Sequence, residues 1–373
     1  MGDFSGKDLL RLKGVVQGKP LVGPRTVNVH VTNACDRTCS FCWYFSPLVS
    51  WHSRRIDIPY DVLVTFIHDC ASMGVEEINL EGGEITCYPG IADVFKLVPR
   101  LGMRLSAYTH LGYGREHLKY LCHAHRLNVN LSAVTAGQYV SIHGGDKFGE
   151  VLDNLRALGV IRKNRGKPNV TLTYVIHKLN YKNVGDFLDL AEDLGVNRVN
   201  FKLFEATVEM KELLFAPAAM ASWRKILAKL AAVPRHVDNN LVQINAAVAR
   251  EGFLRDLRSM RPTEWNNDRL FYTSAVPAAK MPCYAGWFYA FVDEKCRVIA
   301  PCDNVGVCVA GNIAKHSFKD IWLHSKRLQK IRQDALDGID ITQDRWRECR
   351  YCGSTVFNQS VGRVLRRAGR QES

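Results

Sequence analysis

Cys35, Cys39 and Cys42 stand together in ACDRTCSFCWY, residues 34–44, with the spacing C-x3-C-x2-C. Three thiolates in one loop fall one ligand short of a tetrahedral structural zinc site, which a distant fourth group would have to close. On a cubane [4Fe-4S] cluster the same three leave one iron without a protein ligand, and an iron with an open position can chelate a small molecule and pass it an electron. A second stretch, Glu81-Gly82-Gly83-Glu84, joins two glycines, which permit close backbone approach, to a carboxylate that matches a cationic amine. A third group lies far downstream, where Cys283, Cys296, Cys302, Cys308, Cys349 and Cys352 fall within a short segment. That segment is small and loop-rich, and a metal site would staple it.

The elements that must position these groups read as an alternation of short β-runs and amphipathic helical stretches. TVNVHVT, VEEINLEGG, MRLSAYTH, LNVNLSAV, NVTLTYVIH and RVNFKLFEA read as strands, and helical patterns such as YDVLVTFIHDCASMG, closed by Gly74, lie between them. Six β-runs in β-α order predict an α/β protein, a partial (β/α)6 TIM-like barrel over residues 26–206. Residues 1–25 form an N-terminal extension and residues 207–280 a helical and loop connector. The cysteine-rich unit spans 281–353, with WFYAFVDEKCRVIAPC as two strands around a turn and SFKDIWLHSKRLQKIRQDAL as a helix. A basic tail, 354–373, closes the chain and reads as a frayed, solvated end. Cys70, Cys87 and Cys122 lie in or beside apolar segments and read as inert thiols.

No apolar run approaches the roughly 20 residues that cross a bilayer, and the first residues lack a signal peptide's apolar stretch. A cytoplasmic location follows as an expectation, and in a reducing compartment 12 cysteines point to metal ligation or catalysis rather than disulfides. The net charge of +13 is scattered rather than gathered in a patch, so it reads as a solvated basic surface and disfavours nucleic acid as partner.

The cysteine triad after the first strand, with Phe41 before its last member, resembles the signature of the radical S-adenosylmethionine (SAM) enzymes. In that family the open iron binds the amino and carboxylate groups of SAM, and its cleavage gives methionine and a 5'-deoxyadenosyl radical that removes hydrogen from substrate. The resemblance implies that Gly82, Gly83 and Glu84 hold the SAM ammonium group, here with Ile85 where proline is frequent. It implies SAM contacts at Thr109 and Ser132, and at Asn180. The C-terminal cysteines resemble the twitch or SPASM extensions. By that likeness Cys283, Cys302, Cys349 and Cys352 ligate one auxiliary [4Fe-4S] cluster, with zinc on the same thiolates as the alternative. A full SPASM domain would carry further paired cysteines after Cys352.

Three functional classes follow. The first is C–H chemistry on a small molecule, a sugar or aminocyclitol in a glycosylated natural product, with flavodoxin or ferredoxin as external reductant. Within it, Cys308 as hydrogen donor favours epimerisation, with consumption of one SAM per turnover, and the auxiliary cluster is compatible with oxidation of a carbinol to a ketone. The second is maturation of a ribosomal peptide, disfavoured because 34 residues precede Cys35. The third is RNA modification, which no recognisable RNA-binding module supports. Tyr139 and His143 are read as turn residues and secondary candidates for substrate contact.

Overall fold

The structure is a computed structural model and describes residues 4, 6–50, 54–204, 209–215, 217–249, 282–299, 309–339 and 355–369. Six parallel strands follow in chain order: β1 (Thr26–Thr32), β2 (Glu77–Gly82), β3 (Arg104–Thr109), β4 (Arg126–Asn130), β5 (Asn169–Ile176) and β6 (Arg198–Leu203). A two-residue strand β7 (Asp238–Asn239) pairs with β6. Helices return the chain between them; Tyr60–Ser72, for example, buries Leu63, Phe66, Ile67 and Cys70 against the sheet. The expected partial barrel is present.

The strands alternate more than a doubly covered parallel sheet usually does. In β1, Val27, Val29 and Val31 are fully buried, whereas Asn28 and His30 project to the other face. On that face polar groups bond from strand to strand. Asn28 donates to Glu81 (2.6 Å), Asn79 donates to Asn28 (2.8 Å), and Ser106 donates to Glu77 (2.6 Å). One face of the sheet is therefore a hydrophobic core and the other encloses a polar lumen.

The cysteine-rich region joins this sheet. Strand β8 (Tyr289–Val292) pairs parallel to β1, and β9 (Arg297–Ile299) and β10 (Val309–Asn312) continue antiparallel, giving the order β10-β9-β8-β1-β2-β3-β4-β5-β6-β7. The backbone groups on the outer edge of β1 are thereby paired instead of solvated. The hairpin turn places Cys296 at φ 62, the left-handed region where glycine is the usual occupant. The single helix expected over 317–336 is two, Phe318–His324 and Lys326–Leu336. Ser325 takes extended backbone between them and accepts from the Leu328 amide, a cap that starts a new helix.

Both chain ends differ from expectation. The N-terminal extension contains a helix, Gly6–Val16, and the basic tail is a helix, Thr355–Gly369. Leu12 and Val15 of the first pack with Trp287, Phe288 and Val361 in a satellite core. In the tail Phe357, Val361, Val364 and Leu365 recur at helical spacing, an apolar stripe that its arginines obscure in the sequence. Tyr139 and His143, expected in a turn, lie on the helix Ala136–His143, whose N-cap Thr135 accepts from the Gln138 amide.

Arg11 fastens the N-terminal helix to the barrel. Its guanidinium is buried and donates to Asp8 (2.7 Å), Glu76 (2.5 Å) and the carbonyls of Gly23, Pro24 and Gly74. Removing the cation would leave the fully buried Asp8 carboxylate without this partner. Arg11→Met is expected to cost about 3 kcal/mol or more of stability, read as a lowered midpoint in chemical denaturation.

Candidate active site

The loop from β1 carries Cys35, Cys39 and Cys42, and the end of β2 carries Gly82, Gly83 and Glu84. All six line one cavity of about 240 Å³, together with Thr109 and His110 from the end of β3. This lies at the carboxyl ends of the strands, where barrel chemistry is sited.

Beside lining the cavity, the two glycines allow chain to approach chain. A Cβ on Gly82 would stand 2.1 Å from the carbonyl oxygen of Thr32, and one on Gly83 would stand 2.1 Å from that of Ala34. Gly82 also has φ 139, a conformation side chains resist. The glycines let the end of β2 lie directly on the backbone that leads into the cysteine loop, and the amides of Gly83 and Glu84 donate to Thr32 and Ala34 (2.8 and 2.7 Å). Close approach of chain to chain is what they provide.

Glu84 is buried and well supplied with donors. It accepts from the Thr86 amide and hydroxyl (3.2 and 3.1 Å), the Thr109 hydroxyl (2.8 Å) and the His110 amide (2.9 Å). Three of these donors converge on Oε1 and one reaches Oε2, so Oε2 retains acceptor capacity. Glu84 thus ties the ends of β2 and β3 together beneath the cysteine loop.

The thiols resist ionisation as they stand. Burial pushes Cys35 up to about 12, with the negative charges of Glu84, Asp36 and Cys42 adding to the effect. Burial raises Cys39 well above its usual range, and Cys42 and Cys35 add to it. Burial likewise raises Cys42. Three half-buried thiols that oppose one another's charge are a donor set awaiting cations, because a bound metal supplies the positive charge that holds thiolates. The residues fit an iron-sulfur cluster. Among the described residues, Cys35, Asp36 and His110 also place ligand atoms within 4.8 Å of one another. Asp36 and His110 are already a hydrogen-bonded pair (2.7 Å), and His110, whose other nitrogen accepts from the Gly112 amide, donates to the carboxylate and holds it below the usual range.

Other expected residues fall differently. Thr109 lines the cavity, and its hydroxyl is also within 2.9 Å of the Tyr113 phenol. Ser132 is fully buried outside the cavity lining, its hydroxyl accepting from the Val175 amide (3.0 Å). Asn180 donates to the carbonyls of Ser132 and Val175 (3.0 and 2.8 Å), so it clasps the ends of β4 and β5. Cys70 and Cys122 are buried, as expected for inert thiols, whereas Cys87 is half-buried. Cys283 is buried, and its amide donates to Ala335 (2.8 Å). Cys302, Cys308, Cys349 and Cys352 lie outside the described residues.

Sequence reasoning missed the charged residues inside the triad loop. Arg37 is buried and donates to the Gly112 carbonyl (2.6 Å), and Asp36 pairs with His110, so both anchor the loop. Their place between Cys35 and Cys39 was the available signal. The lumen was missed too: Tyr108, Asn128, Asn130, Thr173 and Lys202 line the same cavity. Tyr108 and Asn128 are shared with a second, polar cavity of about 420 Å³ lined by residues at the amino ends of β4, β5 and β6.

A parallel β/α partial barrel with three thiols gathered at the end of its first strand defines a class of iron-sulfur enzyme. Residues 29–191 match the Radical SAM superfamily, and residues 283–353 match SPASM, an iron-sulfur cluster-binding domain. The chain belongs to the radical SAM enzymes and carries a SPASM domain. The two matches imply a SAM-binding [4Fe-4S] cluster and an auxiliary iron-sulfur cluster.

Among curated proteins the chain is similar to "Probable GTP 3',8-cyclase" of Saccharolobus islandicus, at 24% identity over 186 residues, 49% of this chain and 57% of that protein. It is also similar to GTP 3',8-cyclase of Synechococcus elongatus, at 26% over 183 residues, 46% of this chain and 53% of that protein. The chain therefore spans about half the length of the curated relatives it matches. Among solved structures, Streptococcus suis SuiB bound to S-adenosylmethionine has a TM-score of 0.61 at 13% identity, covering 89% of this chain and 75% of that one. The protein anSMEcpe with bound AdoMet has a TM-score of 0.55 at 13% identity, covering 88% of each chain. These two likenesses concern the fold.

The glycine contacts give a direct test. Gly83→Ala is expected to force the β2 end away from Ala34, costing about 3 kcal/mol or more and lowering the iron retained after anaerobic reconstitution. Gly137→Ala, at a position with open space for a methyl group, is the control expected to keep both.

Proposed function

We propose that this protein removes hydrogen from a C–H bond of a small molecule, a sugar or aminocyclitol unit of a natural product, and inverts that centre. The observation that supports this reading best is the single cavity in which the three thiols face a hydrogen-bonding lumen of Asn128, Asn130, Thr173, Tyr108 and Lys202. Amides and hydroxyls can each donate and accept, which suits a substrate dense in hydroxyl groups. When bound, SAM on its cluster supplies a carbon radical able to take a hydrogen atom.

The chain's own residues carry the remaining roles. Cys35, Cys39 and Cys42 hold the cluster, leaving one position free for the SAM amine and carboxylate. Glu84 receives the SAM ammonium by exchange with a rotatable hydroxyl donor, Thr86 or Thr109, each of which is neutral and gives way to a cation. Lumen amides orient the sugar so that one C–H points up the barrel. Cys308 returns a hydrogen atom from its S–H to the opposite face, and an electron from flavodoxin or ferredoxin with a proton from solvent restores the thiol. Cys283, Cys302, Cys349 and Cys352 hold the auxiliary cluster.

A second reading, oxidation of a carbinol to a ketone, draws on the SPASM match, since an auxiliary cluster would supply an acceptor for the electron a carbinol radical loses as its hydroxyl proton passes to solvent. The likeness to GTP 3',8-cyclases and the lumen cation Lys202 leave a nucleotide substrate as the outcome to test against both.

Reconstituted protein is expected to hold about eight irons, falling to about four in the Cys35→Ala, Cys39→Ala, Cys42→Ala triple variant with loss of a SAM-perturbed electron paramagnetic resonance signal. Absence of iron after careful reconstitution would end the enzyme reading. With a panel of aminocyclitol glycosides in deuterated water, wild type is expected to place deuterium at one inverted carbon. Cys308→Ala is expected to abolish that product while still cleaving SAM. An unchanged stereochemical product in this variant would overturn the epimerase assignment, and a ketone product in wild type would favour oxidation.

A further inference from the structure

We infer that His143 tunes the SAM-binding cluster, its Nδ1–H donating a hydrogen bond to the Cys39 thiolate; the inference rests on Cys35, Cys39 and Cys42 holding that cluster. His143 is fully buried on the last turn of the helix Ala136–His143. Its Nδ1 lies 3.4 Å from Cys39 Sγ, and its Nε2 lies 2.9 Å from the amide nitrogen of Ser132. A main-chain amide can only donate, so Nε2 must present its lone pair. That fixes the neutral tautomer with the proton on Nδ1, aimed at sulfur.

The surroundings hold both partners in place. The ring of Tyr139 stacks on His143 at 4.6 Å, and Phe41 meets it edge-on at 5.6 Å. On the other side, the Ser40 amide donates to Ile142 (2.8 Å), tying the cysteine loop to the same helix. Gly144, at φ 69, passes so close to Thr38 that a Cβ would come within 2.3 Å of its hydroxyl. Cys35 takes a main-chain bond from Arg37, and Cys42 takes them from Tyr44 and Phe45. At Cys39, beside its own main-chain amide, a side chain supplies a donor, so substitution can remove it. Hydrogen bonds to cluster sulfurs stabilise the more negative, reduced state and raise the reduction potential.

The test is a redox titration of the anaerobically reconstituted full-length protein, following the SAM-perturbed resonance of the open cluster. His143→Gln keeps an acceptor for the Ser132 amide at the Nε2 position and loses the donor to Cys39; His143→Asn places an amide donor near Nδ1. His143→Gln is expected to leave about tenfold less reduced cluster at a fixed potential, equal to about 59 mV for a one-electron couple, with iron content unchanged. His143→Asn is expected to stay near wild type. Equal potentials in all three proteins, or equal falls in both variants, overturn the donor role while leaving the cluster assignment intact. A wild-type preparation without a SAM-perturbed signal overturns the cluster assignment and this inference with it. Should neither variant fold, pulsed resonance on wild type with isotopically labelled histidine decides: a nitrogen coupling to the reduced cluster supports the hydrogen bond, and its absence overturns it.

Discussion

The site depends on the contact between the carboxyl ends of β1 and β2. There the backbone of Gly82 and Gly83 rests against the carbonyls of Thr32 and Ala34 at a distance that no Cβ would allow. Two amide bonds, from Gly83 to Thr32 and from Glu84 to Ala34, hold the contact. Everything that follows Ala34 inherits its starting direction from this pair, including the loop that brings three thiols together. Everything that follows Gly83 inherits it as well, because Glu84 turns under the loop and gathers Thr86, Thr109 and His110 around its carboxylate. A strand-end contact in the sheet thus becomes the floor of a chemical site.

The same economy runs through the lumen. A parallel sheet covered on both faces by helices would have apolar residues on both sides of each strand. Here β1 to β3 place one face on the core, with Val27, Val29, Ile78 and Leu105 buried, and the other on Asn28, Asn79, Glu77 and Ser106, which bond from strand to strand. Asn79 Oδ1, His30 Nδ1 and Thr173 Oγ1 keep no protein partner, so the lumen presents polar atoms to whatever fills it. The C-terminal hairpin, added to β1, anchors the SPASM region to the strand from which the triad springs.

Charge balance explains why this arrangement calls for metal. Burial and mutual repulsion keep the thiols protonated, with Cys35 pushed up to about 12. His143 beside them is pushed down to about 3, first by burial, with the Arg37 guanidinium adding to it. Such thiols become thiolates only against added positive charge, which an iron-sulfur core would supply.

The amino-acid sequence alone determined the chemistry and the order of the strands. C-x3-C-x2-C, the Glu-Gly-Gly-Glu segment and the β-α alternation are local facts, set by residue type and period, and they carried the class of enzyme. It also located the hairpin around Cys296, because alternation and a turn are short-range properties. What tertiary structure decided is which groups meet across long separations. The basic tail became a helix because Phe357, Val361 and Leu365 found Trp287, Phe288 and the N-terminal helix to pack on, a partner no local pattern reveals. Ser132 and Asn180 were drawn into the β4 and β5 ends by backbone donors and acceptors of neighbouring strands. His143 lies 104 residues from Cys39 and meets it because a helix end, a left-handed glycine and an aromatic stack converge on one loop. Residue type fixes what a side chain can do; the folded chain fixes what it does it to.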